Sequence, residues 1–180
     1  MNLQFKPECS ILLSGELSYD SIPSCFAEVA RLDQKKTASG IRVYLNSPGG
    51  NSSSGLALYD LLQSTRNDIT VIGTGECSSI AALVLQAGKT RLLSPHTRML
   101  VHFGMANISS KGDCGKDELL RYGAEIARLD EILLDILCIR GKLSRQKMRA
   151  HLQSNTYIGA EQAIEMGFAD DLTYTPSYKK

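Results

Sequence analysis

Ile41-Arg42-Val43-Tyr44-Leu45-Asn46-Ser47-Pro48-Gly49-Gly50 is the stretch that decides the fold. Its first half alternates apolar and polar side chains, the two-residue period of a strand. Its second half ends that strand abruptly at proline and glycine. Two glycines directly after a strand let the backbone approach another group closely and leave N–H groups exposed. For a lone Gly-Gly pair the plainest role is a strand-to-helix turn. Neither G-x-x-x-x-G-K-[ST] nor G-x-G-x-x-G is present, so a phosphate-binding loop is not indicated. Helical spacing of Leu58, Leu61 and Leu62 predicts a helix over 54–64 immediately afterwards.

The same strand-then-helix unit recurs on either side. Before it, Ile11-Leu12-Leu13 is a short strand closed by Ser14-Gly15. Ile22, Phe26, Val29 and Ala30 follow at helical spacing, with Asp20 or Ser21 as cap. After it, 69–72 is a strand leading into a turn at Gly73-Thr74-Gly75. Residues 80–85 are apolar all round and read as a buried helix ending near Gly88. Two more strands are predicted at 91–93 and 99–103. This alternation indicates an α/β protein with parallel pairing, organised as a single domain over 1–180.

The stretch 106–115 is loose in composition, rich in Ser, Gly, Asn and Lys. A long amphipathic helix over 116–140 follows, with Leu119, Tyr122, Ile126, Leu129, Leu133 and Ile136 along one face. At 1.5 Å per residue it extends roughly 37 Å, longer than a domain of this size needs internally. The face is expected to pack on another subunit through Leu129, Leu133 and their neighbours, since it would otherwise form a large exposed apolar patch. Gly141 closes the helix, Ser144 caps a shorter one to about Gln153, and 160–166 is a last helical piece before Gly167.

Composition excludes several function classes. The 180 residues carry 20 Lys+Arg against 19 Asp+Glu, so net charge gives no reason to expect nucleic acid or a membrane surface. Trp is absent and aromatics are 6%, which argues against stacking platforms for single strands. Cys9, Cys25, Cys77, Cys114 and Cys138 are odd in number and form no C-x-x-C pair, fitting a reducing, cytoplasmic setting. The first eight residues lack the apolar core of a signal peptide, and no apolar run reaches membrane-spanning length. No His, Cys or acidic cluster has metal-ligand spacing, and no cofactor is implied.

Two residues could carry chemistry. Ser79 follows a strand and a glycine turn and stands at the start of the buried helix. There N–H groups converge, which suits a nucleophile whose attack creates an oxyanion. Taken alone it is more readily a helix cap, a role open to Ser78 too, and it lacks the G-x-S-x-G setting of an α/β-hydrolase. Cys77, two residues away, reads as a small buried residue. His102 lies in the apolar strand 99–103, where a lone histidine is normally core; paired with a serine it becomes a candidate base. His96 and His151 carry no assignment.

Together these pieces resemble the ClpP family, the proteolytic subunits of the Clp protease. The resemblance rests on Tyr44-Leu45-Asn46-Ser47-Pro48-Gly49-Gly50 with Gly55 and Tyr59-Asp60, on Gly75-Glu76-Cys77-Ser78-Ser79-Ile80-Ala81-Ala82, on Arg98-Met99-Leu100-Val101-His102, and on Tyr157-Ile158-Gly159-Ala160-Glu161-Gln162-Ala163 with Gly167. They recur in family order over about 11–172.

The resemblance implies a crotonase-like spiral of ββα units with a projecting handle helix, the handle region covering about 104–141. It implies Ser79 as nucleophile, His102 as general base, and the N–H groups of Gly50 and Ile80 as oxyanion hole. It also implies two stacked heptameric rings, docking of an AAA+ Clp ATPase, and an unfolded polypeptide substrate laid beside the glycine-pair loop as an extra strand.

This sequence departs from the family in three places. Asn155 stands where the family has its triad aspartate; an amide can orient an imidazole but not stabilise imidazolium by charge. A carboxylate such as Asp113 or Asp117 is the alternative partner for His102. The start is shorter than the family's, which bears on the axial pore and on ATPase docking. Phe103-Gly104-Met105 follows His102 in place of the family's glycine-rich run. A non-catalytic subunit completing mixed rings with a paralogue is therefore a second expectation. An acyl-CoA-acting crotonase-type enzyme is a third.

Overall fold

The alternating segment at 41–45 becomes β2 (Ile41–Ser47), two residues longer than expected, with every second side chain buried. The structure, a computed structural model, describes residues 6–36, 38–105 and 115–177. A 3-10 turn over Pro7–Cys9 leads into β1 (Ser10–Ser14), which pairs in parallel with β2. Strands β3 (Ile69–Ser78), β4 (Thr90–Leu93) and β7 (Asp171–Leu172) extend the parallel sheet in the order β1-β2-β3-β4-β7. Helices α1 (Ile22–Leu32), α2 (Ser52–Gln63) and α3 (Ile80–Leu85) connect the early strands. All six residues of α3 are buried, as their uniformly apolar character predicts. The result is the expected mixed α/β architecture.

The chain departs from expectation at Gly73-Thr74-Gly75. No turn forms there; β3 runs on to Ser78 through a bulge. Leu45 pairs with Gly73, but Ser47 pairs with Cys77, so β3 carries extra residues against β2. Gly75 takes φ +61° at the bulge, and Asn46 Oδ1 accepts a 3.0 Å bond from the Glu76 N–H to hold it. The bulge divides the sheet. The first part of β3 pairs with β4, and the second part pairs with β5 (Arg98–Leu100). β6 (Tyr157–Gly159) then pairs antiparallel with β5. The short β6 and β7 have no counterpart in the sequence pattern; at three and two residues neither carries a periodic signal. β5 ends at Leu100, so His102 lies beyond the strand expected to contain it.

The long helix forms where its spacing places it, as α4 (Lys116–Arg140). Ser144 caps α5 (Arg145–Ser154) by accepting from the Lys147 N–H, and α6 (Ala160–Glu165) follows β6. The two halves of α4 differ. Leu133, Leu134 and Leu137 are buried in the core, so Leu133 is committed to its own chain. Leu119 and Leu120, in the first turns, remain 41% and 62% exposed. The loose stretch 106–115 lies, apart from Gly115, outside the described residues.

A partly buried ion pair ties the end of α4 to the sheet. Arg91, its side chain only 3% exposed, donates to Asp170 Oδ1 at 2.6 Å, to the Gly167 carbonyl and to Gln86. Arg140 from α4 reaches the same carboxylate at 2.8 Å. Burial alone would raise the Asp170 pKa, but the Arg91 hydrogen bonds and the two guanidinium charges outweigh it and hold it below the usual range.

Candidate active site

Ser79 sits between the end of β3 and the start of α3 with φ 55° and ψ −130°. Few non-glycine residues adopt such a backbone, and holding one there costs on the order of 1–3 kcal/mol. The surroundings impose it: the Ser79 N–H donates to the Leu100 carbonyl at 2.6 Å, and its own carbonyl accepts from Ala82 at 3.0 Å. Strain concentrated at one half-buried serine points to function rather than to packing.

The glycine loop closes on this serine. The Ser47 hydroxyl accepts from the Gly49 N–H at 3.1 Å and sets the turn after β2. Gly49 has φ +102°, and a Cβ there would fall 2.6 Å from Ser79 Cβ. Gly50 bridges to Leu17: the Leu17 N–H donates to the Gly49 carbonyl, and the Asn51 N–H donates to the Leu17 carbonyl, each at 2.7 Å. That pairing turns the Gly50 N–H away from Leu17. In α2, a Cβ on Gly55 would lie 2.1 Å from Ile80 Cγ1, so α2 and α3 are in close contact behind the serine. Ile80 opens α3, where helix geometry leaves its N–H without a partner in the helix.

His102 is half-buried and reaches the same place from the segment after β5. Its Nδ1 lies 2.6 Å from the Phe103 carbonyl. A carbonyl only accepts, so in the neutral ring Nδ1 carries the proton and Nε2 is the free basic nitrogen. The groove here, about 480 Å³, is lined by Gly50, Ser79, Ile80 and His102 together with Leu56 and the α4 residues Ile126 and Leu129. Four of the five residues singled out in the sequence thus share one groove.

Asn155 lies two residues before β6, whose Tyr157 pairs with Leu100, so the antiparallel register runs on to set it opposite His102. It caps the C-terminus of α5 with φ 50° and ψ 40°, is exposed, and does not line the groove. Asparagine suits that left-handed position on local grounds alone. Among the described residues no hydrogen bond joins it to His102. The orienting contact that the sequence did not reveal is the Phe103 carbonyl; a main-chain group leaves no side-chain signal. Asp113 lies outside the described residues, and Asp117 is exposed in the first turn of α4.

The neighbouring thiol is no rival nucleophile. Burial, and after it the Glu76 charge, pushes Cys77 up to about 12, and its Sγ points to the Ala81 carbonyl. His151, half-buried on α5 and tilted against Phe168, is held below the usual histidine range by burial. Among the described residues no cluster could hold a metal ion, and no helix is long and apolar enough to cross a membrane.

The family described as Clp protease matches residues 3–175. The chain is 27% identical over 164 residues to an ATP-dependent Clp protease proteolytic subunit of Borreliella afzelii, covering 90% of this chain and 81% of that protein. It is 31% identical over 166 residues to a protein of the same description from Mesostigma viride, covering 90% and 70% respectively. A proteolytic subunit 1 of Borreliella burgdorferi is 26% identical over 164 residues, covering 90% and 82%. With a match spanning nearly its whole length, and a serine, a histidine and a glycine loop gathered at one groove, this chain belongs to the Clp protease family.

Proposed function

We propose that this chain is a serine-peptidase subunit of a Clp-type protease, with Ser79 as nucleophile and His102 as general base. The observation that carries the site assignment is the strained Ser79 sharing one groove with a histidine whose Nε2 is free. His102 Nε2 takes the Ser79 hydroxyl proton as Oγ attacks the scissile carbonyl. The N–H groups of Gly50 and Ile80 stabilise the oxyanion that forms. The imidazolium then protonates the leaving amine, and water admitted to the groove releases the acyl group by the reverse path. An unfolded polypeptide is the proposed substrate, laid as an extended strand along the 47–51 loop. Family membership and the relatives' descriptions favour neither the non-catalytic nor the acyl-CoA reading. The odd cysteine count supports a reducing compartment such as the cytoplasm. A fluorophosphonate reagent tests the assignment: one adduct, mapped to Ser79 by mass, is expected, and an adduct elsewhere sinks it.

Asn155→Asp is expected to leave peptidase turnover within about threefold, because position 155 is exposed and makes no hydrogen bond to His102 among the described residues, so a charge added there is screened by solvent. A rise of tenfold or more in peptide-hydrolysis kinetics would show that Asn155 does face His102 during catalysis.

Membership in the family supports oligomeric assembly and partnership with a Clp ATPase. The finer proposal is one peptidase domain with a handle over about 104–141, assembled into two stacked heptameric rings or into mixed rings with a paralogue. The exposed Leu119 and Leu120 on α4 support a contact through the first turns of that helix. Light scattering is expected to give a ring-sized mass, reduced by Leu120→Glu. A monodisperse monomer for the unsubstituted chain contradicts the assembly.

A further inference from the structure

Resting on the reading of Ser79 and His102 above, we propose that Asp130 on α4 is a positioning residue for the general base, acting through the peptide group between Phe103 and Gly104. The two ends of that peptide group have different partners. Its carbonyl accepts from His102 Nδ1 at 2.6 Å. Its N–H, on Gly104, donates to Asp130 Oδ1 at 2.7 Å. The group is planar and conjugated, so the two bonds are not independent. A carboxylate accepting from the N–H draws the amide towards its charge-separated form and makes the carbonyl oxygen a stronger acceptor. Asp130 thereby fixes the direction of the imidazole and favours the tautomer that leaves Nε2 basic. The carboxylate lies beyond that peptide group on the Nδ1 side of the ring, away from the nitrogen that takes the proton.

The carboxylate is held firmly enough for this. Asp130 stands one helical turn before Leu133 and Leu134, both buried in the core. The segment it contacts lies close against α4. A Cβ on Gly104 would lie 3.2 Å from Ile126 Cγ2 and 3.3 Å from Asp130 Oδ1. The Phe103 ring has the Arg149 guanidinium 5.7 Å from its centroid, and Arg149 is itself paired with Glu131 on α4. The handle helix therefore supplies the carboxylate that Asn155 does not bring to this histidine, with a main-chain peptide interposed.

The test uses the full chain with Asp130→Ala and Asp130→Asn, reading peptide kcat and KM together with the rate of fluorophosphonate labelling at Ser79. Asp130→Ala is expected to lower kcat and the labelling rate by roughly 10- to 100-fold, the usual scale for a group that orients a functional ligand. KM should stay within about twofold, since the proposed contact is to the base and not to substrate. Asp130→Asn, which keeps an acceptor oxygen but not the charge, should fall between the two. The proposal is overturned if folded Asp130→Ala labels at the unsubstituted rate, or if the loss lies in KM, as for a groove wall touching substrate. Should Asp130→Ala fail to fold, Asp130→Asn decides: a labelling rate equal to the unsubstituted chain overturns the proposal, and a fall of about threefold or more with unchanged KM supports it. Absence of any Ser79 adduct on the unsubstituted chain overturns the underlying site assignment, a result distinct from equal labelling of the two proteins.

Discussion

Ser79→Ala is expected to abolish peptide hydrolysis, with a fall of roughly 10⁶ in turnover, the loss seen when a serine peptidase loses its nucleophile. The argument is one of elimination as well as position. Ser79 alone combines a backbone held at positive φ, the start of α3 and a histidine with a free Nε2 in the same groove. The nearest alternative, Cys77, has its thiol pushed up to about 12 and its sulfur turned into the core, so it provides no background rate near neutral pH. What remains should be the small acceleration from binding and the oxyanion donors. Hydrolysis of an extended chromogenic peptide measures this directly. Retention of more than about 1% of the rate, far above that residual, would remove Ser79 from the mechanism.

Gly49→Ala should damage both fold and activity. The φ of +102° is unfavourable for any residue with a Cβ, at about 1–2 kcal/mol. The added carbon would also sit 2.6 Å from Ser79 Cβ and 2.9 Å from the Ser78 carbonyl, both on the turn that presents the nucleophile. Overpacking of that kind costs a further 1–3 kcal/mol or so. For a chain of this length each kcal/mol lowers Tm by about 2–4 °C, so a drop of roughly 4–20 °C is expected. Relief of the clash can come only by moving the 48–50 loop or the Ser79 turn, so turnover should fall at least about 100-fold, as for a 1 Å misplacement of reacting groups. An unchanged melting curve with normal hydrolysis would show that the loop does not press on Ser79 as described.

Much of this was legible in the sequence because local pattern and tertiary demand coincide. The helix over 116–140 matches its spacing, and the all-apolar α3 is buried along its whole length. Asn46-Ser47-Pro48-Gly49-Gly50 ends a strand as its residues require, two positions later than the strand's alternation suggested. What failed was set by long-range pairing. Gly73 and Gly75 have turn chemistry, yet the partners on β2 and β5 carry the strand through them as a bulge. β6 and β7 exist only because an edge is waiting for them. At the site, Ser79 and His102 were candidates by residue type and position, and their proposed roles came with the family resemblance. The contact orienting His102 was not, because it runs through a main-chain carbonyl.

A serine in the conformation of Ser79 is kept at a cost to the fold. Glycine would adopt φ 55° and ψ −130° with far less strain, so the fold on its own would drift towards Ser79→Gly once catalysis ceased to matter. A serine at this turn is a standing load on stability that folding alone gives no reason to keep. Its presence beside an intact glycine loop fits the proposed role of Ser79, and in a copy of this chain freed from that role position 79 is where the change would be read first.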